Sequence, residues 1–384
     1  MDYRMTDEQE LLLDSIQEWM ERNIDENEVK SWYKNHSVPE ALTKDFVDQG
    51  FGFLGIPEEY GGTPCDVQTL MMVSEKMHYY CASCVPFLSS ILSMFDMLEF
   101  GNEQQVKLCM DTYKSTGKLC FALALSEPGA GSDNNAMTTC VKQVGEGRYI
   151  VNGTKTFVTN GGTTPYVLLI CKDDTPDYDN KSYSMFLVPT QAKGISFAPM
   201  EKIGQTCSAF SEMYISDLEI TEEQRVGKKG EAFLYLMKNF EVERMLIASG
   251  SLGMAQAVLE DAVKYANERI TFGKQITKYQ LIQQKLTDME IKCQNMRNML
   301  YKAAWEKDNG ISVRLDSALV KRYCSMTATE VCYDAMQIFG GIGYTTETRA
   351  SRAWIDCRGN EFAGGTDEIM VHIANRQIIK KYIK

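Results

Sequence analysis

Ser126-Glu-Pro-Gly-Ala-Gly-Ser-Asp133 separates two textures in this chain. It follows a β-prone run at residues 119–125, and the hydrophobic period changes there from helical to strand-like. Small residues in the segment let backbone N–H groups approach a ligand, and Ser126 and Ser132 add hydroxyls. The glycine spacing fits neither a dinucleotide-binding nor a phosphate-loop fingerprint. Taken alone, the segment is equally a simple turn.

On its N-terminal side the pattern is helical. Thr6-x-x-Gln9 predicts a capping box, followed by Leu11, Leu12, Ile16 and Met20 at helical spacing. On its C-terminal side come short β-prone runs at residues 148–151, 154–159, 166–171, 183–188 and 212–218. Gly145-Glu-Gly147 and Asn152-Gly153 divide them, and Asn-Gly between two such runs predicts a hairpin. Beyond residue 229 long amphipathic stretches return, at 233–269, 280–308 and 317–339, which predict a helical bundle. The expected layout is α+β: an N-terminal helical domain (1–119), a middle antiparallel β barrel or sandwich (120–228) and a C-terminal helical bundle (229–384).

The 384-residue chain carries a formal charge of −12, which argues against a nucleic-acid partner. No apolar run is long enough to span a bilayer, and the N-terminus lacks a secretory pattern. A cytoplasmic protein without a membrane partner is expected. The 12 cysteines are scattered except Cys81 and Cys84, which suits a reducing compartment. That lone pair supplies half a zinc site, and only three His accompany it, so no metal is expected.

Four further segments carry chemistry. Phe157-Val-Thr159-Asn-Gly-Gly162 closes a β run and sets an aromatic ring beside a hydroxyl. Arg269-Ile-Thr-Phe272-Gly-Lys274 ends a long helix; it reads equally as a grip for a pyrophosphate and an adenine or as a basic helix terminus. Gln337-Ile-Phe-Gly340-Gly341 and Gly365-Thr366 complete the set. In this order and spacing the five segments resemble the acyl-CoA dehydrogenase family along nearly the whole chain. The resemblance implies a four-helix C-terminal bundle and FAD shared across a subunit interface of a homotetramer. It also implies acyl-CoA or enoyl-CoA substrates and an electron-transferring flavoprotein as partner. It sets Leu125, Ser126, Gly131 and Ser132 against the flavin, with Thr159 near its reactive nitrogen. Phe157 stands where many members have Trp. Arg269, Phe272 and Gln280 are implied to reach the adenine–pyrophosphate part of the neighbouring subunit's FAD. Gln337, Gly340, Gly341, Thr366 and Glu368 are implied to line the cofactor as well.

The reaction needs a carboxylate beside the substrate Cα, partly desolvated so that its pKa rises. Many family members place this Glu immediately before a Gly-Thr pair near the C-terminus, but here Gly364 occupies that position. Other members carry it on the helix that opens the bundle, just before an Arg, which is Glu243 before Arg244 here. Helical spacing adds independent support. Glu243 shares a face with Phe240, Leu246, Ile247 and Gly250, and Gly250 is expected to leave space there. Glu243 is therefore the expected base, with Glu361 as runner-up, and Glu241 is expected to pair with Arg244. Gly364 is left a backbone N–H to hold the thioester oxygen. By resemblance, Arg244 and Ser132 bind substrate.

Residues 265–269, 279–283, 299–305 and 364–368 are more particularly similar to the crotonobetainyl-CoA reductase branch of the family, from carnitine metabolism. That branch implies crotonobetainyl-CoA/γ-butyrobetainyl-CoA interconversion. Another short-chain or aryl-acrylyl thioester is the alternative substrate. A non-catalytic flavin- or CoA-binding scaffold is the alternative of a different class, prompted by Gly364.

Overall fold

The computed structural model describes residues 5–83, 87–174 and 182–383. Among the described residues six α-helices come first: α1 (Asp7–Asn23), α2 (Glu26–Asn35), α3 (Glu40–Asp48), α4 (Val67–Cys81), α5 (Phe87–Phe100) and α6 (Glu103–Thr116). The expected capping box is present, with Thr6 Oγ1 accepting from Gln9 N and Gln9 Oε1 accepting from Thr6 N. Cys81 is a buried free thiol, and Cys84 lies outside the described residues.

The middle region holds β1 (Phe121–Ala124), β2 (Cys140–Gly145), β3 (Arg148–Thr159), β4 (Tyr166–Asp173), β5 (Tyr183–Pro189), β6 (Ile195–Pro199), β7 (Phe210–Thr221) and β8 (Arg225–Val226). They form one eight-stranded sheet in the order β6-β7-β3-β2-β4-β5-β8, with β1 also on β4. Most pairings are antiparallel as expected, but β1–β4 and β2–β4 are parallel. The alternation along β4 shows how the sheet joins two cores. Val167, Leu169 and Cys171 enter the interior of the β region, while Leu168 and Ile170 face the helices.

Asn152-Gly153 is not a hairpin. It lies within β3, at a register shift against β7. A Cβ on Gly153 would fall 2.3 Å from Thr139 Oγ1, so glycine is required by the close approach of the neighbouring chain rather than by a turn. Asn152 instead exchanges hydrogen bonds with Asp217. The β2–β3 reversal sits at Gly145-Glu-Gly147.

The C-terminal region holds α7 (Ala232–Glu268), a two-strand ribbon of β9 (Ile270–Thr271) and β10 (Lys274–Gln275), then α8 (Gln280–Asp308), α9 (Arg314–Phe339), α10 (Arg349–Asn360) and α11 (Asp367–Tyr382). Helix α7 is the axis of the molecule. Every residue from Arg244 to Ala255 is buried, so this stretch is packed on all sides. Small residues allow it: a Cβ on Gly253 would meet Glu75 O at 2.2 Å, and Ser249 Oγ donates to Ser74 Oγ at 2.7 Å on α4. Gly250 leaves no space, contrary to expectation, because the buried His78 ring fills it, 3.0 Å from where a Cβ would stand.

Candidate active site

Glu243 lies on α7 just where the helix passes from half-buried to fully buried. The residue as a whole is half-buried, and protein surrounds its carboxyl closely. Burial pushes its pKa up to about 7, against the opposing pull of Arg244 and Lys321. Facing it is the loop between α10 and α11. At Gly364, φ is +63°, and a Cβ there would stand 3.9 Å from Glu243 Cδ, 3.8 Å from Arg244 Cγ and 2.7 Å from Ile247 Cδ1. The two positions at which a base was sought therefore converge on one point. A side chain at 364 would be driven into Ile247, so glycine lets the loop backbone close against Glu243 and Arg244.

Arg244 is buried and donates from Nε to Gly364 O at 3.3 Å, with its guanidinium 5.6 Å from the Phe240 ring centre. It does not pair with Glu241, which instead accepts from Lys307 Nζ at 3.2 Å. The Gly364 N–H has no hydrogen-bond partner among the described residues. Glu361 does not face this space as a free acid. Thr329 Oγ1 donates to it at 2.8 Å, and it is ion-paired with Arg358.

A second acid stands near Glu243. Asp96 on α5 accepts from Asn239 Nδ2, and Asn239 is one helical turn before Glu243 on α7. Burial pushes Asp96 up to about 7, with Glu243 and Glu99 adding to the rise. No Lys or Arg is ion-paired with it among the described residues. Sequence patterning missed Asp96, because its significance depends on α5 meeting α7.

The glycine segment is organised by another residue that patterning missed. Glu127 is buried and accepts from Thr138 N, Thr138 Oγ1, Thr139 N and Lys155 Nζ, at 2.7, 2.8, 2.9 and 3.0 Å. Lys155 Nζ also donates to Leu125 O at 3.0 Å, and Thr156 N to Ser126 O at 2.9 Å. Burial alone would raise the Glu127 pKa, but Lys155 and the two threonines outweigh it and hold it near about 2. Burial pulls Lys155 below its ordinary value. A Lys between two threonines in a β-prone run was the only available signal, and a weak one.

This clamp leaves Gly131 and Ser132 exposed, with open space where a Gly131 Cβ would be. Phe157 is 55% exposed, has φ +59° and stacks on Phe210, with centroids 5.8 Å apart. Thr159 is exposed beside it. Leu125 and Ser126 are thus tied by their carbonyls to β3 just before Phe157 and Thr159, and Gly131 and Ser132 follow on the same loop.

The other cofactor candidates sit at one end of the bundle. Phe272 tops the β9–β10 ribbon, 94% exposed at φ +51°. Arg269, Gln280, Gln337, Gly340 and Gly341 are exposed, and the Tyr265–Phe339 ring contact at 4.9 Å ties the ends of α7 and α9 together. No hydrogen bond among the described residues links this group to the β-sheet group within one chain. Thr366 caps α11 by accepting from Ile369 N at 3.3 Å, and Glu368 is exposed in the first turn. Among the described residues no cluster suited to a metal ion occurs, and no helix is long and apolar enough to cross a membrane.

Three family models match in order: the acyl-CoA dehydrogenase N-terminal domain over residues 6–111, the middle domain over 122–218 and the C-terminal domain over 230–379. The chain belongs to the acyl-CoA dehydrogenase family. It is 42% identical to the probable acyl-CoA dehydrogenase YdiO of Escherichia coli K12, covering 100% of this chain and 99% of that one. Butyryl-CoA dehydrogenase from Megasphaera elsdenii superposes with a TM-score of 0.91 at 28% identity, over 99% of this chain and 100% of that one. A chain from a structure titled for the electron transferring flavoprotein of Acidaminococcus fermentans superposes at 0.90 and 29% identity, over 99% and 100%. The family and the fold make this protein an oxidoreductase.

Proposed function

We propose that this enzyme interconverts an acyl-CoA and its 2-enoyl-CoA, with Glu243 moving the Cα proton. The convergence of Glu243 and Gly364 on one point carries this reading. In the oxidative direction the Glu243 carboxylate takes the Cα proton; in the reductive direction its acid form returns it. A pKa near about 7 keeps both forms available at neutral pH. The unpartnered Gly364 N–H is the donor for the thioester oxygen, where negative charge develops as the Cα proton leaves. Arg244 holds the Gly364 carbonyl, and so fixes the peptide that follows the donor N–H.

FAD fits the residues present. Open space at Gly131, Gly340 and Gly341, an exposed ring at Phe157 and a hydroxyl at Thr159 suit a planar cofactor with a diphosphate. When bound, FAD accepts the hydride from Cβ or returns it. Leu125, Ser126, Gly131, Ser132, Phe157 and Thr159 would hold the flavin end, with Thr366 and Glu368 beside it, and Gln337, Gly340 and Gly341 would line the cofactor from the ribbon end of the bundle. Arg269, Phe272 and Gln280 project from the ribbon end and would serve a neighbouring copy's cofactor, which requires an oligomer such as a tetramer. An electron-transferring flavoprotein is the electron partner we propose, in a cytoplasmic setting.

For the acyl group we propose crotonobetainyl-CoA/γ-butyrobetainyl-CoA. The supporting observation is Asp96, an acid beside Glu243 with no cationic partner among the described residues, which a trimethylammonium head would satisfy. The test is anaerobic flavin absorbance on mixing with γ-butyrobetainyl-CoA, butyryl-CoA or a phenylpropionyl-CoA. Fastest bleaching by the first supports the cationic head; fastest bleaching by either of the others removes it. No bleaching with any thioester, and no reoxidation of reduced enzyme by the matching enoyl-CoAs, leaves only a scaffold.

A further inference from the structure

Lys321 is a lysine with no exposed surface on α9, between Ala318 and Cys324 on the buried stripe of that helix. Its three ammonium donors go to three acceptors on one loop: Glu361 O, Gly365 O and Asp367 Oδ1, each at 2.9 Å. Ser325 Oγ donates to the same Asp367 oxygen at 3.1 Å, and Arg322 donates to Asp367 O at 3.1 Å. The acceptors bracket Gly364, from three residues before it to three residues after. A chain reversal at φ +63° and +94° for Gly364 and Gly365 has few bonds of its own, so α9 supplies its fixed points.

We propose that Lys321 is a positioning residue for the reaction, clamping the 361–367 loop so that the Gly364 peptide stays against Glu243 and lending positive charge to that carboxylate. This rests on Glu243 being the base. The charged and titratable groups around the pair are Arg244 on α7, Asp96 and Glu99 on α5, and Glu361 and Asp367 on the loop and α11. Of these, Arg244 and Lys321 favour the Glu243 carboxylate, while Asp96 opposes it. Removing the lysine raises the Glu243 pKa further. Removing the lysine's counter-charge at Asp367 leaves the ammonium less neutralised and lowers it.

The experiment uses FAD-loaded Lys321→Met, Asp367→Asn, Glu243→Gln and wild type. It reads the exchange of butyryl-CoA Cα protons with D2O by mass spectrometry, across pH 5.5–9. This exchange needs the base and the oxyanion donor but no net electron transfer. Lys321→Met is expected to keep its flavin, lose about 10- to 100-fold in exchange rate and move the rising limb of the profile to higher pH. Asp367→Asn is expected to move that limb to lower pH. Opposite movements are not produced by a purely structural lysine, which would change stability and leave both limbs where they were. Unmoved limbs, or limbs moving the same way, overturn the proposal. If Lys321→Met yields no soluble flavoprotein, the direction of the Asp367→Asn limb decides alone. If Glu243→Gln exchanges like wild type, the base assignment fails instead.

Discussion

Replacing Gly364 by Ala tests the close fit between loop and helix quantitatively. The residue has φ +63°, a conformation that costs a Cβ-bearing residue roughly 1–2 kcal/mol. The new methyl would stand 2.7 Å from Ile247 Cδ1, and such overpacking adds about 1–3 kcal/mol. The expected loss is therefore about 2–5 kcal/mol, shared between global stability and displacement of the loop. Ile247→Val deletes the clashing methyl. The double variant should recover the packing share but not the backbone share. Urea unfolding of the four proteins of this cycle reads the coupling, and flavin reduction by a saturating acyl-CoA reads the loop. Turnover should fall by more than tenfold in Gly364→Ala, roughly what an ångström-scale misplacement produces. Wild-type stability and turnover in Gly364→Ala would refute the packing argument, as would a double variant no better than the single.

Three other outcomes follow from the charges. Because the folded Glu243 pKa is raised to about 7, the native state binds the extra proton between the ordinary carboxylate range and pH 7, so this group's contribution to stability falls as pH rises through that window. Glu243→Gln should match wild type in thermal melts near pH 5 and exceed it near pH 8, and wild-type flavin reduction should rise through about pH 7. Lys155→Met strands the Glu127 carboxylate in the interior, at a cost of about 3–5 kcal/mol, and frees the 125–133 loop, so the purified protein should carry less FAD by absorbance. Asp96→Asn should lower kcat/KM for γ-butyrobetainyl-CoA by at least about tenfold while sparing butyryl-CoA, the scale of one lost charge contact.

The chain displays its helices and its base more openly than its clamps. Glu243 was legible because period 3.6 puts it on the face of Leu246 and Ile247, and both prove buried. The 280–308 stretch is a helix from end to end, since no Gly or Pro interrupts it. Strands β2 and β6 escaped, because Cys140–Gly145 is mostly exposed and Ile195–Pro199 at best half-buried, and neither shows strong apolar alternation. Asn152-Gly153 misled, because a glycine demanded by a neighbouring strand looks in sequence like one demanded by a turn. Gly250 misled for the same kind of reason, its partner being His78 from a distant helix. Glu241 sits at a pairing distance from Arg244, but Lys307 from α8 competes for it and burial draws Arg244 to the Gly364 carbonyl. Lys155 and Lys321 are buried lysines among small polar neighbours; what they hold is set by loops 28 to 46 residues away.

The central claim is that the proton-moving carboxylate has its place on α7, at Glu243, and not on the loop before α11. The most direct measurement is stopped-flow anaerobic flavin reduction of Glu243→Gln and Glu361→Gln, each with FAD content confirmed. With the acyl-CoA that bleaches wild type best, Glu243→Gln should be slower by at least about a thousandfold, the upper range for removing a general base, and Glu361→Gln should stay within about tenfold of wild type. Wild-type rates in Glu243→Gln, with the collapse falling on Glu361→Gln, would contradict the account.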